Sequence, residues 1–431
     1  MTYNVLLLGS GGREHTLAWA INRSSQLGKL YAAPGNAGIA EICETVDMAL
    51  DDFEAITAFA KKKNIDLVVV GPEQPLVGGI SDYLKKNDIL VFGPSKAAAQ
   101  LEGSKAFAKQ FMKNQGIPTA DYAVFSQDEF EQASQYISKN DSYPVVLKAS
   151  GLAGGKGVFI CENQAEVDER LEMLRDDFSD ASSTLVVEEY MQGEEASVFV
   201  FCDGQTAKVV GTAQDHKRIG DGDTGLNTGG MGAYAPSPLL DDSLMEIIER
   251  DIIMPTITGM IEQDTPYQGV LYLGLMITQQ GPKVVEYNCR IGDPECQVVV
   301  PKLKTDLLQI LVDSAEGELH NTKIETDHQY YCCVIQASEG YPVSYEKGFS
   351  ISISDELDKE TLIFHSGTAK KNGELITDGG RVIGIVQHDS SLARAIDKTY
   401  NEVDKVTFDN AYHRSDIGKK GLTHVDKKSN I

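Results

Sequence analysis

Hydrophobic runs along the chain follow three successive patterns. Residues 1 to 103 alternate short apolar runs (Val5–Leu8, Leu30–Ala33, Leu67–Val70 and Leu90–Phe92) with longer stretches of mixed polarity. Unbroken apolar runs suit strands covered on both faces, and the stretches between them have room for helices, so an open parallel sheet is predicted. Each run ends at glycine or proline (Gly9, Pro34, Gly71-Pro72, Gly93-Pro94), which puts the loops at the carboxyl edge, where such sheets bind ligands.

From residue 104 the pattern changes. Ser104 can cap a helix over Lys105–Met112 that stops near Gly116 and Pro118. Runs at Val145–Ala149, Gly157–Cys161, Leu185–Tyr190, Ala196–Phe201 and Ala207–Gly211 read as antiparallel strands. The glycine-rich stretch Asp215–Gly232 predicts a long structureless loop, which in a compact domain is usually functional. A helix is expected over Ser243–Ile261. A hairpin is expected over Val270–Asn288, turning at Gln279-Gln280-Gly281. Beyond 328, the runs Tyr330–Ala337, Ile363–Ser366 and Arg381–His388, followed by a helix over Leu392–Tyr400, predict a smaller α+β unit. The expected domains are 1–103, 104–328 and 329–431, giving a mixed α/β and α+β fold whose N-terminal domain is an open parallel sheet.

Composition narrows the function. A formal charge of −25 over 431 residues argues against nucleic acid or an anionic membrane as the main partner. An anionic substrate would need a local positive patch, because the overall field opposes it. No apolar run reaches membrane-spanning length, and Met1-Thr2-Tyr3-Asn4 lacks the basic start of a signal peptide. Seven cysteines without Cys-x-x-Cys spacing suit free thiols in a reducing cytoplasm. A cytoplasmic monomer acting on small molecules is expected.

The densest chemistry lies at Lys283–Glu295. In a strand, alternate residues share a face, so Glu286, Asn288 and Arg290 would form one row, about 7 Å apart, with Val285, Tyr287 and Cys289 behind it. A carboxylate beside an amide oxygen suits a hard cation, and a guanidinium suits a carboxylate or phosphate. A solvated edge strand is the bland alternative. Upstream, Lys148 ends an apolar run and leads into Gly151-Leu152-Ala153-Gly154-Gly155-Lys156-Gly157. That is not the P-loop spacing, since Gly157 stands where Ser or Thr is needed, yet a glycine hairpin with two lysines can fold over a triphosphate. Each lysine–phosphate pair contributes about 4 kcal/mol at 4 Å and an effective dielectric of about 20, before desolvation. The turn Gly9–His15 opens a helix and offers backbone N–H groups to a phosphate. Glu14 stands where a dinucleotide fingerprint needs glycine or alanine, so a small phosphorylated substrate fits better than a nicotinamide cofactor. Glu188-Glu189-Tyr190 at a strand end could read an adenine edge and ribose hydroxyls, and the basic start of the long loop, His216-Lys217-Arg218, suits an anionic intermediate.

Together these segments resemble the phosphoribosylamine–glycine ligases (glycinamide ribonucleotide synthetases), an ATP-grasp family of purine biosynthesis. The resemblance runs in order through Gly11–His15, Pro34–Gly38, Gly71-Pro72-Glu73, Leu101–Lys105, Gln214–Arg218, Asn227–Gly232, Asn288–Arg290, Gly292–Glu295 and Arg414–Gly418. It implies an ATP-grasp module over the central domain and a C-terminal domain that completes the site. It further implies ligation of glycine to 5-phosphoribosylamine through glycyl phosphate, with ATP and Mg2+ or Mn2+. Lys105, Lys148, Gly154, Gly155, Lys156, Glu188, Glu189, Tyr190 and Glu195 look like nucleotide contacts, and Glu286 and Asn288 like cation ligands. Gly11, Gly12, Arg13, Glu14, Asn36, Glu73, His216, Lys217 and Arg290 fall at substrate positions, and Lys148, Arg290, Asp215 and Asp293 at catalytic ones. Leu226 stands where the family commonly has proline and Gly154 where it often has alanine. Leu273-Gly274-Leu275-Met276 offers no second carboxylate to a metal.

Overall fold

The computed structural model describes residues 2–152, 157–177 and 183–428. Five parallel strands, β1 (Tyr3–Gly9), β2 (Leu27–Pro34), β3 (Glu44–Thr45), β4 (Leu67–Val70) and β5 (Leu90–Phe92), form a sheet in the order β3-β2-β1-β4-β5. The chain reverses its strand order at β1, so the crevice between the ends of β1 and β4 is where this architecture takes ligands. Arg13 and Glu73 stand in the first turns of the helices Gly12–Ile21 and Glu73–Gly78, which follow β1 and β4.

Ser104 caps the next helix, Lys105–Gln115, by accepting from the Phe107 N–H at 3.2 Å, and Gly116 ends it with φ of 66°. Beyond it, β6 (Tyr122–Ser126), β7 (Val145–Ala149), β8 (Val158–Cys161) and β9 (Thr184–Glu189) make a four-stranded antiparallel sheet ordered β6-β9-β7-β8. Val146 stands opposite Glu188 in the β7–β9 ladder. Lys148, two residues along, therefore points to the same face as Glu188.

A nine-stranded sheet carries the rest. Its path begins β16 (Gly281–Asn288), β15 (Gln268–Thr278), β10 (Glu194–Asp203), β11 (Ala207–Asp215), β14 (Gly232–Ala235) and β17 (Tyr330–Ser338), then continues through Arg381–Asp389 to Leu362–His365, and the ninth strand, Ala411–Tyr412, pairs with β17 off this path. The short β14 joins the central strands to those after residue 328, so the expected boundary there falls inside one hydrogen-bonded sheet. Gly232 permits this join, because a Cβ there would lie 2.6 Å from the Cys333 carbonyl oxygen. The expected 243–261 helix is present as Asp242–Glu262 with a π-turn over Glu249–Ile253. Pro255 follows that turn and has no N–H to give, which accounts for the irregular bonding before it.

Two expectations are corrected. Asp215–Gly232 is not structureless: β12 (Arg218–Gly220) and β13 (Thr224–Asn227) pair as a ribbon. Arg414 pins it, donating to Asp223 at 2.8 Å and to the Arg218 carbonyl at 2.9 Å, and the Ser415 N–H meets Asp221 at 2.9 Å. The regular alternation expected in β16 is also broken. Gly274 pairs with Glu286 and Leu275 with Val284, leaving Val285 as a bulge. Val284, Tyr287 and Cys289 therefore face the core, while Val285 joins Glu286, Asn288 and Arg290 on the cleft side. Replacing Val284 by Ala should cost about 2 kcal/mol in urea unfolding, from two lost buried methyls, and Val285→Ala well under half of that. Equal losses would place Val285 in the core and remove the bulge.

Candidate functional site

A cleft of about 790 Å³ lies between the four-stranded sheet and the β10–β15–β16 end of the large sheet, reaching Arg13 and Glu73 at its inner end. Its walls carry Lys105, Lys148, Glu188, Glu189, Tyr190, Glu195, Asp215, Lys217, Glu286, Asn288, Arg290 and Asp293, all expected from the sequence. Gly154, Gly155 and Lys156 lie outside the described residues.

Lys148 and Lys109 both reach the same oxygen of Glu188, at 2.9 and 3.0 Å, and all three side chains are nearly inaccessible. Burial lowers the Lys109 ammonium to about 8 against the opposing pull of Glu188. The second Glu188 oxygen, Oε1, is buried and has no partner among the described residues, so it can accept a hydrogen bond from a ligand. The bulge turns the Val285 carbonyl to Lys148, 3.3 Å away. Lys105 enters from the helix start, its ammonium 3.3 Å from the Gly151 carbonyl, and burial lowers its proton affinity.

Glu286 faces Lys217 at 4.0 Å, and Lys217 is bonded to Glu195 at 2.9 Å. Burial favours the neutral form of Glu286, but Lys217, Lys148 and Lys105 outweigh it and keep the carboxyl below its usual range. The Asn288 side chain, 9% exposed, makes no hydrogen bond among the described residues. A free carboxylate oxygen and a free amide oxygen on one strand face fit a hard divalent cation. No third His, Cys, Asp or Glu joins them as a preformed cage among the described residues. Nine basic and eleven acidic side chains line the described cleft, so the positive patch expected for an anionic substrate is not there. A bound divalent cation would supply the missing charge.

Arg290 is engaged by Glu73 at 3.1 Å and Glu102 at 3.3 Å, and Glu102 also accepts from the Cys289 N–H at 2.7 Å. At the inner end Arg381, from the C-terminal strands, donates to the Asp293 carbonyl at 2.6 Å and lies 3.4 Å from its carboxylate. Asp215 and Glu295 are 9% and 4% exposed. Burial and the Asp215 charge raise the Glu295 carboxyl to about 7, and burial raises Asp215 as well.

Several expected substrate contacts do not reach the cleft. His216 is buried behind it, its ring accepting from the Gly418 N–H at 3.4 Å, and burial with Lys420 and Arg414 holds it neutral at about 3. Asn36 ties the loops together, donating 2.8 Å bonds to the Ser10 and His365 carbonyls. The Gly11–Glu14 turn is not an open anion cradle. Glu14 takes the Gly11 N–H at 2.6 Å and Asp293 takes the Arg13 N–H at 3.2 Å, while Gly12 is packed close to Gln297 and Ser366. Of that turn, Arg13 alone lines the cleft. Residues missed in the sequence are Lys109, Glu102 and Arg381. Helix periodicity could have flagged Lys109, four residues after Lys105 on the same face; the other two carried no local signal.

A nucleotide-sized cleft between a small antiparallel sheet bearing buried lysines and a larger one bearing a carboxylate–amide pair defines the ATP-grasp class of ligase. Models of the phosphoribosylglycinamide synthetase N domain, ATP-grasp (A) domain and C domain match residues 3–102, 103–296 and 331–420. The chain belongs to the phosphoribosylglycinamide synthetase family. A phosphoribosylamine–glycine ligase of Mesorhizobium japonicum is 48% identical over 417 residues, covering 96% of this chain and 97% of the relative. That of Agrobacterium fabrum is 47% identical over 97% of this chain and 98% of its own. The crystal structure of the Thermotoga maritima phosphoribosylamine–glycine ligase superposes with a TM-score of 0.83 at 32% identity, covering 96% of this chain and 99% of that one. A Campylobacter jejuni biotin carboxylase shares the fold, with a TM-score of 0.74 at 16% identity over 96% and 93% of the two chains.

The raised Glu295 carboxyl has a consequence for stability. A carboxyl held above its unfolded value of about 4.5 is neutral in both states at low pH, and its penalty on folding grows as pH rises from about 4.5 to 7. Glu295→Gln removes that penalty. Its unfolding free energy should match wild type near pH 4 and exceed it at pH 8, by on the order of 2 kcal/mol. Parallel pH–stability curves would contradict the burial of an uncompensated acid.

Proposed function

We propose that the cleft joins glycine to 5-phosphoribosylamine in two steps through glycyl phosphate. The chain is an ATP-dependent, ADP-forming carbon–nitrogen ligase that makes glycinamide ribonucleotide in purine biosynthesis. The observation that supports the detailed reading is the convergence of Lys105, Lys148, Glu286, Asn288 and Arg290 on one cleft whose inner end carries Arg13 and Arg381.

In this reading the adenine lies along the Glu188–Tyr190 strand end, where Glu188 Oε1 awaits a donor. Lys105 and Lys148 contact the phosphates. Glu195 receives the ribose hydroxyls once Lys217 turns from it to the phosphate chain. Glu286 and Asn288 would hold Mg2+ or Mn2+, which when bound would supply charge neutralisation to the polyphosphate. Arg290 fixes the glycine carboxylate in line with the γ-phosphate, and the Arg13–Arg381 corner takes the ribose 5-phosphate.

No protein nucleophile is needed. The glycine carboxylate attacks the γ-phosphorus, ADP leaves, and the sugar amine displaces phosphate from the acyl carbon. Positioning and charge neutralisation do most of the work. Water must be excluded because an acyl phosphate hydrolyses, and the β12–β13 ribbon, latched by Arg414, is one wall of that enclosure.

A coupled assay tests the reading: ADP should accumulate only with glycine and 5-phosphoribosylamine both present, and turnover with bicarbonate in place of glycine would refute it. Glu286→Ala should reduce turnover at least 100-fold while thermal unfolding stays near wild type, because the side chain faces the cleft and not the core. Retained activity would remove Glu286 from the cation site.

A further inference from the structure

The reaction must take a proton from the attacking amine, and the cleft groups can be compared for that task. Asp293 is unsuited: although it is buried, Arg381 and Arg13 hold it below its usual range. Glu286 is assigned to the cation, and His216 faces away. Glu73 and Glu102 are paired with Arg290, Glu188 with Lys109 and Lys148, Glu189 with Lys283, Glu194 with His424, Glu195 with Lys217 and Asp223 with Arg414. Asp215 and Glu295 remain. Both line the cleft, both are more than nine-tenths buried, and neither carboxylate accepts a hydrogen bond from another residue.

Their placement fits the second step. Tyr272 stands opposite Asn288 in the β15–β16 ladder, and Tyr272, Asn288, Glu286, Asp215 and Glu295 all line the same cleft. Glu295 also follows Asp293 by two residues, and Asp293 meets the Arg13 N–H and Arg381 at the corner assigned to the ribose phosphate. Glu295 thus follows the cation strand and the Asp293 corner on one short segment that lines the cleft, within which amine and acyl phosphate must meet.

We propose that Glu295 accepts the amine proton during amide formation, with Asp215 acting on it as a positioning residue. The proposal rests on the ligase reading above. The amine nitrogen forms a bond to the glycyl carbonyl carbon, and the bond from that carbon to the phosphate oxygen breaks with its electron pair. One N–H proton passes to the Glu295 carboxylate, which later releases it to water. Lys217, Lys420 and Glu195 face Asp215, while Asp215, Lys217 and Arg290 face Glu295. A carboxyl near 7 in this setting is matched to proton transfer at neutral pH. The first step needs no base, because the glycine carboxylate is already ionised.

Rapid-quench single turnovers with ATP, Mg2+, glycine and 5-phosphoribosylamine separate the steps. In Glu295→Gln, ADP should form within about threefold of the wild-type rate while glycinamide ribonucleotide forms at least 100-fold more slowly, the usual scale of a lost general base. Equal slowing of ADP and product, or normal product formation, would overturn the assignment. Asp215→Asn should move the acidic limb of the product-formation profile to lower pH, and an unmoved limb would remove Asp215 from the proposal. Wild-type enzyme that forms neither ADP nor product would instead refute the ligase reading itself.

Discussion

Arg290 leaves the end of β16 and meets two carboxylates from the N-terminal part of the chain, Glu73 at the start of the helix after β4 and Glu102 just before Ser104. That cluster joins the open parallel sheet to the strand that carries Glu286 and Asn288. The same pairing recurs through much of the cleft, with Asp215 and Glu295 as the buried acids that no ion pair compensates. Lys109 and Lys148 share Glu188, and Asp293 lies between the Arg13 backbone and Arg381. Removing one member of such a group leaves a buried charge uncompensated, at a cost of about 3–5 kcal/mol. The relative placement of the three regions therefore depends on pairs that are also the groups a substrate would touch.

This double use explains which parts of the site were legible in the sequence. Strand-end residues such as Lys148, Glu188, Glu286 and Asn288 announce themselves, because a polar group breaking an apolar run needs a reason. Their partners do not. Glu102 and Arg381 belong to the site only because folding brings 102 beside 290 and 381 beside 293. The ribbon at 218–227 looked structureless because what orders it, Arg414 and its neighbours, lies nearly two hundred residues away. His216 shows the opposite case: a histidine in a basic, glycine-rich stretch looks like a ligand, whereas the fold buries it against Gly418, away from the cleft lining. The bulge at Val285 is invisible for a third reason, since Val284 and Val285 are the same residue and alternation cannot say which faces the core.

The near balance of charge in the cleft bears on how a polyanion is held. Lysines already bonded to carboxylates gain less from a phosphate than free ones, because each new contact is offset by an old one lost. Lys217 shows this most plainly, being bonded to Glu195 and 4.0 Å from Glu286. Binding of a polyanion by Lys217 is then an exchange of partners within the cleft, because each new contact competes with Glu195 and Glu286.

That exchange also gives the acidity of the whole chain a physical meaning. With a formal charge of −25, the molecule repels free polyphosphate at long range and attracts divalent cations. A nucleotide already complexed with a cation carries less charge and meets less repulsion than the free tetra-anion. Inside the cleft the same preference recurs, because the lining has no surplus of positive side chains to stand in for the metal. The global field and the local site therefore select the same species, the cation-bound nucleotide, but salt weakens only the first preference, because it screens the outer field and leaves the buried pairs largely unscreened.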